Sequence, residues 1–285
     1  MAHFWSAPFK PVPTKSIRQY VMAMQHAKRY ASGRRVITDH QGLSRSRSRL
    51  NSSRDTSVEL FRHWGLYDRI ILGNHMRHQQ MALAITKAAE SLNAPCRVLD
   101  LGCGDGQLAA MALRNCHCEW WHGVDLSRAA LDSAPQLFPS QITIHFTEGH
   151  LTIVTHQLAE QWLVGRSTPP NLLLASYALH HLSESQLQQT LADLACVPQP
   201  RAFCWIDLYL SEGESRQDWL HRFHTTALPT WSNLTEAEVS EVIAHMQTSD
   251  FPLTESRRVE LATQFGFQSH EVLFRDDFYL ASLFR

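Results

Sequence analysis

The sequence predicts an α/β fold: a seven-stranded, mostly parallel sheet with helices on both faces and a C-terminal antiparallel hairpin. Three observations predict it. Short apolar runs alternate with helical periodicity from Cys96 to Leu208, as parallel strands joined by helical crossovers do. The first of those runs empties into a glycine-rich turn, Gly102-Cys103-Gly104-Asp105-Gly106. The chain closes on two further apolar runs flanking Arg275-Asp276-Asp277, a spacing that suits a hairpin.

Residues 1–57 read as a basic, partly flexible extension. Lys10-Pro11-Val12-Pro13 makes its start irregular. Ser16 to Ala31 reads as a short helix with Ser16 as its cap, and Ser44 to Ser53 as a polar, low-complexity linker. Residues 58–92 form a helical cap: Leu60, Trp64, Tyr67 and Ile71 fall at helical spacing, and Met76 to Leu92 continues the pattern. Residues 93–285 form the sheet domain. Its strands are expected at 97–101, 120–124, 141–146, 172–177 and 202–208. The helices between them are expected at 107–115, 127–137, 151–163 and 183–194. After a polar and aromatic insertion at 211–234 come helices at 236–247 and 254–265, then strands at 267–274 and 278–284. His221, His224 and Trp231 of the insertion are candidates to face a substrate.

Charge divides the chain. Residues 1–54 hold eleven Lys and Arg against one acid, Asp39, whereas the remainder is acidic, and the two nearly cancel to a net charge of -1. The arm is expected to dock on the body, to bind a polyanion or to act as a targeting segment. No apolar run is long enough to span a membrane, and no secretory signal is expected. The six cysteines are spread through a chain large enough to fold without staples, so they read as reduced thiols and the expected location is cytoplasmic. An organelle is the alternative if the basic N-terminus is a transit peptide. No metal site is expected: His75 and His78 are one helical turn apart and Cys116-His117-Cys118 is compact, but neither supplies two separated ligand pairs.

The chemistry concentrates at Val98-Leu99-Asp100-Leu101-Gly102-Cys103-Gly104-Asp105-Gly106. Glycines let the backbone turn tightly and let a ligand approach closely. The exposed N–H groups at the following helix start favour a negative group. Asp125 follows Gly104 by 21 residues, at the end of the second strand, where an acid can accept hydrogen bonds from ribose hydroxyls.

These residues resemble the first motif of class I S-adenosylmethionine-dependent methyltransferases. The glycine order, Gly-x-Gly-x-Gly after an acid, departs from the nicotinamide-binding order, since residue 107 is Gln. The resemblance covers about Leu60 to Arg285. It implies the Rossmann-like methyltransferase fold over 93–285 and S-adenosyl-L-methionine as cofactor. It puts Asp100, Leu101, Gly102, Cys103 and Gly104 around the methionine part, Asp125 on the ribose and Leu126 against adenine. Gly149 and His150 stand where the family commonly has Gly-Asp, and the Asp contacts the adenine amino group. His150 either takes over that contact or simply starts the next helix. Asn171 to Leu182 resembles the family's fourth motif, with Ser176 and Tyr177 at the strand end and His180 and His181 following. Tyr177, His180 and His181 are the candidate catalytic residues, because an imidazole can take a proton from a hydroxyl or amine near neutrality. Upstream, Tyr67 and Arg77 are candidates to close over the cofactor and meet its carboxylate.

The resemblance implies an enzyme that transfers a methyl group, with a small-molecule O, N or S nucleophile as the leading acceptor. An RNA or protein acceptor recruited by the basic arm is the alternative, as is a non-catalytic cofactor-binding subunit.

Overall fold

The computed structural model describes residues 64–198 and 201–285. All of them belong to the second of the two units into which the chain divides, Leu50–Arg285. The basic arm, its expected helix at 16–31 and Leu60 lie outside the described residues.

The cap region holds a pair of helices, α1 (Trp64–Leu72) and α2 (His78–Glu90). Between them Asn74 and Arg77 take left-handed backbone, with φ of 53° and 58°. Such angles end a helix, and the Asn74 side-chain Oδ1 accepts from the Gln79 N–H at 3.0 Å to restart the chain as α2. The two helices then part in function. Met81, Ile85 and Ala88 of α2 fall on one face and are wholly buried, so α2 joins the helix layer on the sheet. Only α1 reaches the cavity described below.

Alternation follows as expected: β1 (Cys96–Leu101), α3 (Gln107–Leu113), β2 (Cys118–Asp125), α4 (Arg128–Leu131), β3 (Thr143–Glu148), α5 (Leu151–Leu163), β4 (Leu172–Ser176), α6 (Glu184–Ala195) and β5 (Ala202–Leu210). The helix expected over 127–137 is cut short. Ser127 caps α4 by accepting the Ala130 N–H, but Pro135 has no N–H to give an α-helical ladder, and 134–136 close as a 3-10 turn. The third strand accordingly starts two residues later than expected.

The insertion carries α7 (Arg216–Arg222), a π turn over 223–227 and a 3-10 turn over 228–230. Next come α8 (Glu236–Ser249), β6 (Leu253–Thr254), α9 (Glu255–Gln264) and the hairpin β7 (His270–Arg275) and β8 (Tyr279–Phe284). A capping box fixes the start of α8, Thr235 and Glu238 each satisfying the other's backbone N–H. The two-residue β6, which pairs with the end of β5, has no counterpart in the sequence expectation.

The sheet order is β3-β2-β1-β4-β5-β8-β7. Strands β1 to β5 run parallel, and β8 joins antiparallel to β5 and to β7. This gives the seven-stranded sheet expected, with β6 as a small addition. Helices α2 and α3 pack together on one side; α5, α6 and α9 cover the other. Leu99, Leu173, Phe203 and Trp205 of the sheet bury against Trp162, Leu187, Leu191 and Leu261 of those helices, each side chain worth about 1.5–3 kcal/mol when fully buried. The strand order reverses between β1 and β4, and open sheets bind ligands beyond the carboxyl ends of strands at such a reversal.

Candidate functional site

At that reversal lies a cavity of about 990 Å³, measured out to its mouth. Its first half is built by the turn after β1. The Gly102 and Cys103 N–H groups donate to the Val124 carbonyl at 2.8 and 3.1 Å, tying the turn to β2. Gly102 has φ +67°, and a Cβ there would sit 2.3 Å from the Ala178 Cβ, so nothing larger fits. Gly104 has φ +56°, and a Cβ there would meet nothing within 4 Å; its missing side chain faces open space.

Asp125 fixes the far side of this half. Its Oδ2 accepts the Gly104 N–H at 2.8 Å and its Oδ1 the Ser127 N–H at 2.8 Å. Burial pushes its carboxyl above the usual range, against the pull of those backbone donors. Asp100, at the end of β1, is 3% exposed. Its Oδ2 accepts from the Trp121 indole at 3.0 Å, and its Oδ1 is buried without a hydrogen-bond partner. Burial, partly offset by the indole, lifts the Asp100 pKa to about 7. A buried, half-paired carboxylate costs stability unless a ligand supplies the missing donor. The ammonium of an amino-acid-like ligand supplies one, so these residues fit the methionine end of the implied cofactor.

Tyr67, Asp100, Gly102, Cys103, Gly104, Asp125, Ser176, Tyr177, His180 and His181 all line the cavity. The other expected site residues are placed elsewhere. Leu101 is buried in the core. Leu126 is 41% exposed just past Asp125. Arg77 caps α2 and pairs with Asp276 of the hairpin at 2.6 Å, which accounts for its charge. The Gly149 N–H donates to the Asp125 carbonyl at 2.9 Å. His150 takes the second of its two expected roles: it is the N-cap of α5, its Nδ1 accepting the Thr152 N–H at 3.3 Å. Asn171 ties the opposite ends of the strands together, accepting from the Arg97 N–H and donating to the Pro95 carbonyl.

The second half of the cavity has apolar walls and one polar wall. Met76, Leu208, Phe223, Trp231, Val242, Met246 and Tyr279 supply the apolar surface. The roof is latched from both sides. His75 stacks on Trp231 with ring centres 4.8 Å apart, and Asn233 donates to the Arg69 carbonyl at 2.8 Å; Arg69 in turn pairs with Glu238. The insertion therefore does face the cavity through Trp231, as the sequence suggests, but His221 and His224 are exposed and outside its lining.

Tyr177 sits where β4 ends, with a left-handed φ of 56° that is uncommon for a residue bearing a Cβ. Its hydroxyl donates to the Met76 carbonyl, and burial pushes the phenol well above its usual range.

The polar wall is a cluster that the sequence reading found only in part. His180 Nδ1 donates to Asp207 of β5, whose Oδ2 also accepts the His180 backbone N–H at 3.1 Å. His180 Nε2 points at Asp250 Oδ1, 3.4 Å away. His245 Nε2 and His181 Nδ1 approach the same oxygen at 3.3 and 3.6 Å. None of the three makes a hydrogen bond to it, and the oxygen is buried. Burial opposes charge on His180, but Asp207 and Asp250 outweigh it and raise the imidazole to about 10. Burial and the neighbouring His180 lower His181 to about 4. Buried Arg258 sits over the Trp205 ring at 5.2 Å and adds positive charge near Asp207. Asp207, His245 and Asp250 carry no signal of their own in the sequence, because they reach His180 from β5 and from the end of α8.

A family model described as "Methyltransferase domain" matches residues 98–201, the stretch from β1 to the start of β5. Among solved structures, an O-methyltransferase family protein from Burkholderia thailandensis superposes with a TM-score of 0.55 at 11% identity, over 81% of this chain and 62% of that one. The Burkholderia thailandensis 1,6-didemethyltoxoflavin-N1-methyltransferase, solved with 1,6-didemethyltoxoflavin and S-adenosylhomocysteine, superposes with a TM-score of 0.50 at 15% identity, over 84% of this chain and 92% of that one. At these identities the superpositions speak to fold alone. A search of curated proteins finds no match. Among the described residues no helix is long and apolar enough to cross a membrane. With its glycine turn and its strand order, the stretch from β1 to the start of β5 is similar to a methyltransferase domain, and the sheet around it has the fold of the solved methyltransferases.

Proposed function

We propose that the chain methylates a small-molecule hydroxyl, amine or thiol bound in the second half of the cavity. The observation that carries this is the shape of the site: a roofed cavity with one half suited to the cofactor and the other walled by Phe223, Trp231, Tyr279 and two methionines. A roofed, largely apolar pocket with a few convergent polar groups suits a small ligand.

The bound sulfonium supplies an activated methyl group. The residues of this chain do the rest. Asp125 accepts from the ribose, Asp100 Oδ1 accepts from the ammonium, and the glycine turn admits the chain between them. Ser176, whose Oγ is buried and unpaired, lies at the junction of the two halves. Tyr177 acts as a wall: its hydroxyl is committed to Met76 and its phenol resists ionisation. The proton that the acceptor loses is received at the imidazoles of the polar wall, His181 and His245, since His180 already holds its own between Asp207 and Asp250. The roof of α1 and the insertion excludes water, and alignment of two reactants can contribute about 7–11 kcal/mol to such a displacement.

The test incubates the protein with methyl-labelled S-adenosylmethionine and cell extract, then separates small molecules, RNA and protein. Label is expected among the small molecules. Label confined to RNA or protein would overturn the proposal and give the basic arm a docking role.

Asp100 makes cofactor affinity pH-dependent. Its pKa of about 7 lies above the ordinary 3.8, so in the ligand-free protein it holds a proton through much of the range below neutrality. Its contribution to stability is therefore present at low pH and lost as pH rises from 3.8 through about 7. An incoming ammonium favours the ionised form, so binding expels this proton. Affinity for S-adenosylhomocysteine is expected to rise with pH up to about 7, by at most about tenfold per unit. Calorimetry in buffers of different ionisation enthalpy should register the released proton, and Asp100→Asn should abolish the release. Proton-independent binding in the unsubstituted protein would remove Asp100 from the ammonium site.

A further inference from the structure

We infer that His180, His181 and Asp250 form a binding site for a divalent transition-metal ion, with zinc the best match, whose open position faces the acceptor half of the cavity. The role given to the ion rests on the reading of that half as the acceptor site; the ion's binding does not.

Geometry carries the inference. Each of the three side chains offers one ligand atom, and these atoms lie within 4.8 Å of one another. Bonds of about 2.0–2.1 Å in a tetrahedral zinc site set neighbouring ligand atoms about 3.3–3.4 Å apart. His180 Nε2 and His181 Nδ1 lie 3.4 and 3.6 Å from Asp250 Oδ1. Nitrogens at that separation are too far or too poorly aligned to hydrogen-bond the oxygen, which is buried and unpartnered, yet both stand at a ligand-to-ligand distance from it, and a small adjustment of the rings brings all three atoms around one ion.

The surroundings supply a second, independent observation. A metal-binding histidine commonly donates its other ring N–H to a carboxylate, which fixes the tautomer and raises the ligand's basicity. His180 does so: Nδ1 donates to Asp207, which is 1% exposed, and Nε2 becomes the ligand atom as the ion displaces its proton. His181 Nδ1 now donates to the Ser249 carbonyl at 3.0 Å, a bond that the ion displaces, so loading needs a local adjustment of that ring. Two imidazoles and a carboxylate favour zinc, cobalt or ferrous iron over magnesium or calcium, which prefer oxygen ligands. Three protein ligands with a position open to a cavity are the pattern of a catalytic site, not of a closed structural one.

In that position the ion binds the acceptor's oxygen, nitrogen or sulfur and lowers its pKa. His245, the remaining imidazole of the wall, takes the released proton. The acceptor atom then forms a bond to the methyl carbon as the carbon–sulfur bond breaks, leaving S-adenosylhomocysteine and the methylated acceptor.

The test uses the full chain, stripped with a chelator and titrated with zinc by calorimetry and with cobalt by visible absorption. One ion per chain is expected at this site, with the intense bands of low-coordinate cobalt held by imidazole. Asp207→Asn keeps all three ligands and is expected to weaken zinc about 10–100-fold. His181→Ala and Asp250→Asn are expected to lose the cobalt bands. His181 is part-exposed on the cavity wall, so His181→Ala decides the matter if Asp250→Asn fails to fold. Only the pale spectrum of hydrated cobalt in the unsubstituted protein, or unchanged bands in folded His181→Ala, would overturn the inference. S-adenosylhomocysteine is titrated on the same samples. If it binds while the metal does not, the metal site falls and the methyltransferase reading stands; failure of both would count against the cofactor half as well.

Discussion

Gly104→Leu is expected to abolish measurable cofactor binding while leaving a folded protein. The position has φ +56°, and a Cβ would enter space that no protein atom occupies. Replacing glycine at a left-handed position costs about 1–2 kcal/mol of stability, which a domain with this core tolerates. The larger effect is steric, because the leucine side chain fills the gap through which the cofactor reaches the turn. Calorimetry with S-adenosylhomocysteine should show no heat of binding, while a thermal melt stays cooperative at a slightly lower midpoint. Binding within tenfold of the unsubstituted protein would mean that the ligand lies elsewhere. Gly102→Ala is a weaker test of the same turn, because its Cβ would strike Ala178 and would perturb the fold as well as the site.

The first half of the cavity was readable in sequence because it is local. Strand, turn, helix and second strand are consecutive, so Asp100, the glycines and Asp125 fall within one unit of chain, and the unit's geometry follows from glycine and strand-end positions. The sheet was readable for a similar reason: each strand is a short buried run bounded by a helical period. The misses have local causes too. Pro135 stopped a helix whose apolar spacing continued, and Asn74 and Arg77 turned the chain where side-chain type alone did not demand it.

The second half of the cavity was not readable in the same way. His180 and His181 stood out as a pair, but what makes them a cluster arrives from β5 as Asp207 and from the end of α8 as His245 and Asp250. No spacing connects residues brought together across separations that run from 27 positions, for Asp207, upward. Sequence spacing weighs only ligands near one another along the chain, so it has nothing to say of a site that would draw on Asp250. His150 and Arg77 show the weight of local needs. Each sits where the family resemblance assigns a cofactor contact, but local needs, the start of α5 and the charge of Asp276, already occupy the side chain.

Asp125→Ala is expected to weaken cofactor binding by about 10–100-fold, since hydrogen bonds to a charged partner are worth about 1.5–3 kcal/mol. Two losses contribute. The ribose hydroxyls lose their acceptor, and the Gly104 and Ser127 N–H groups lose the carboxylate that now holds them. The second loss can be separated from the first. Asp125→Asn keeps one oxygen acceptor but puts an amide NH2 against one of the two backbone donors, so it disturbs the turn while retaining part of the ribose contact. If ribose binding dominates, Ala should be markedly worse than Asn; if anchoring of the turn dominates, the two should weaken binding alike, and both should lower the melting temperature of the ligand-free protein. A third result, unchanged affinity in a folded Asp125→Ala, would remove the ribose from the end of β2 altogether. The comparison therefore asks whether this carboxylate acts mainly on the ligand or on the glycine turn beside it.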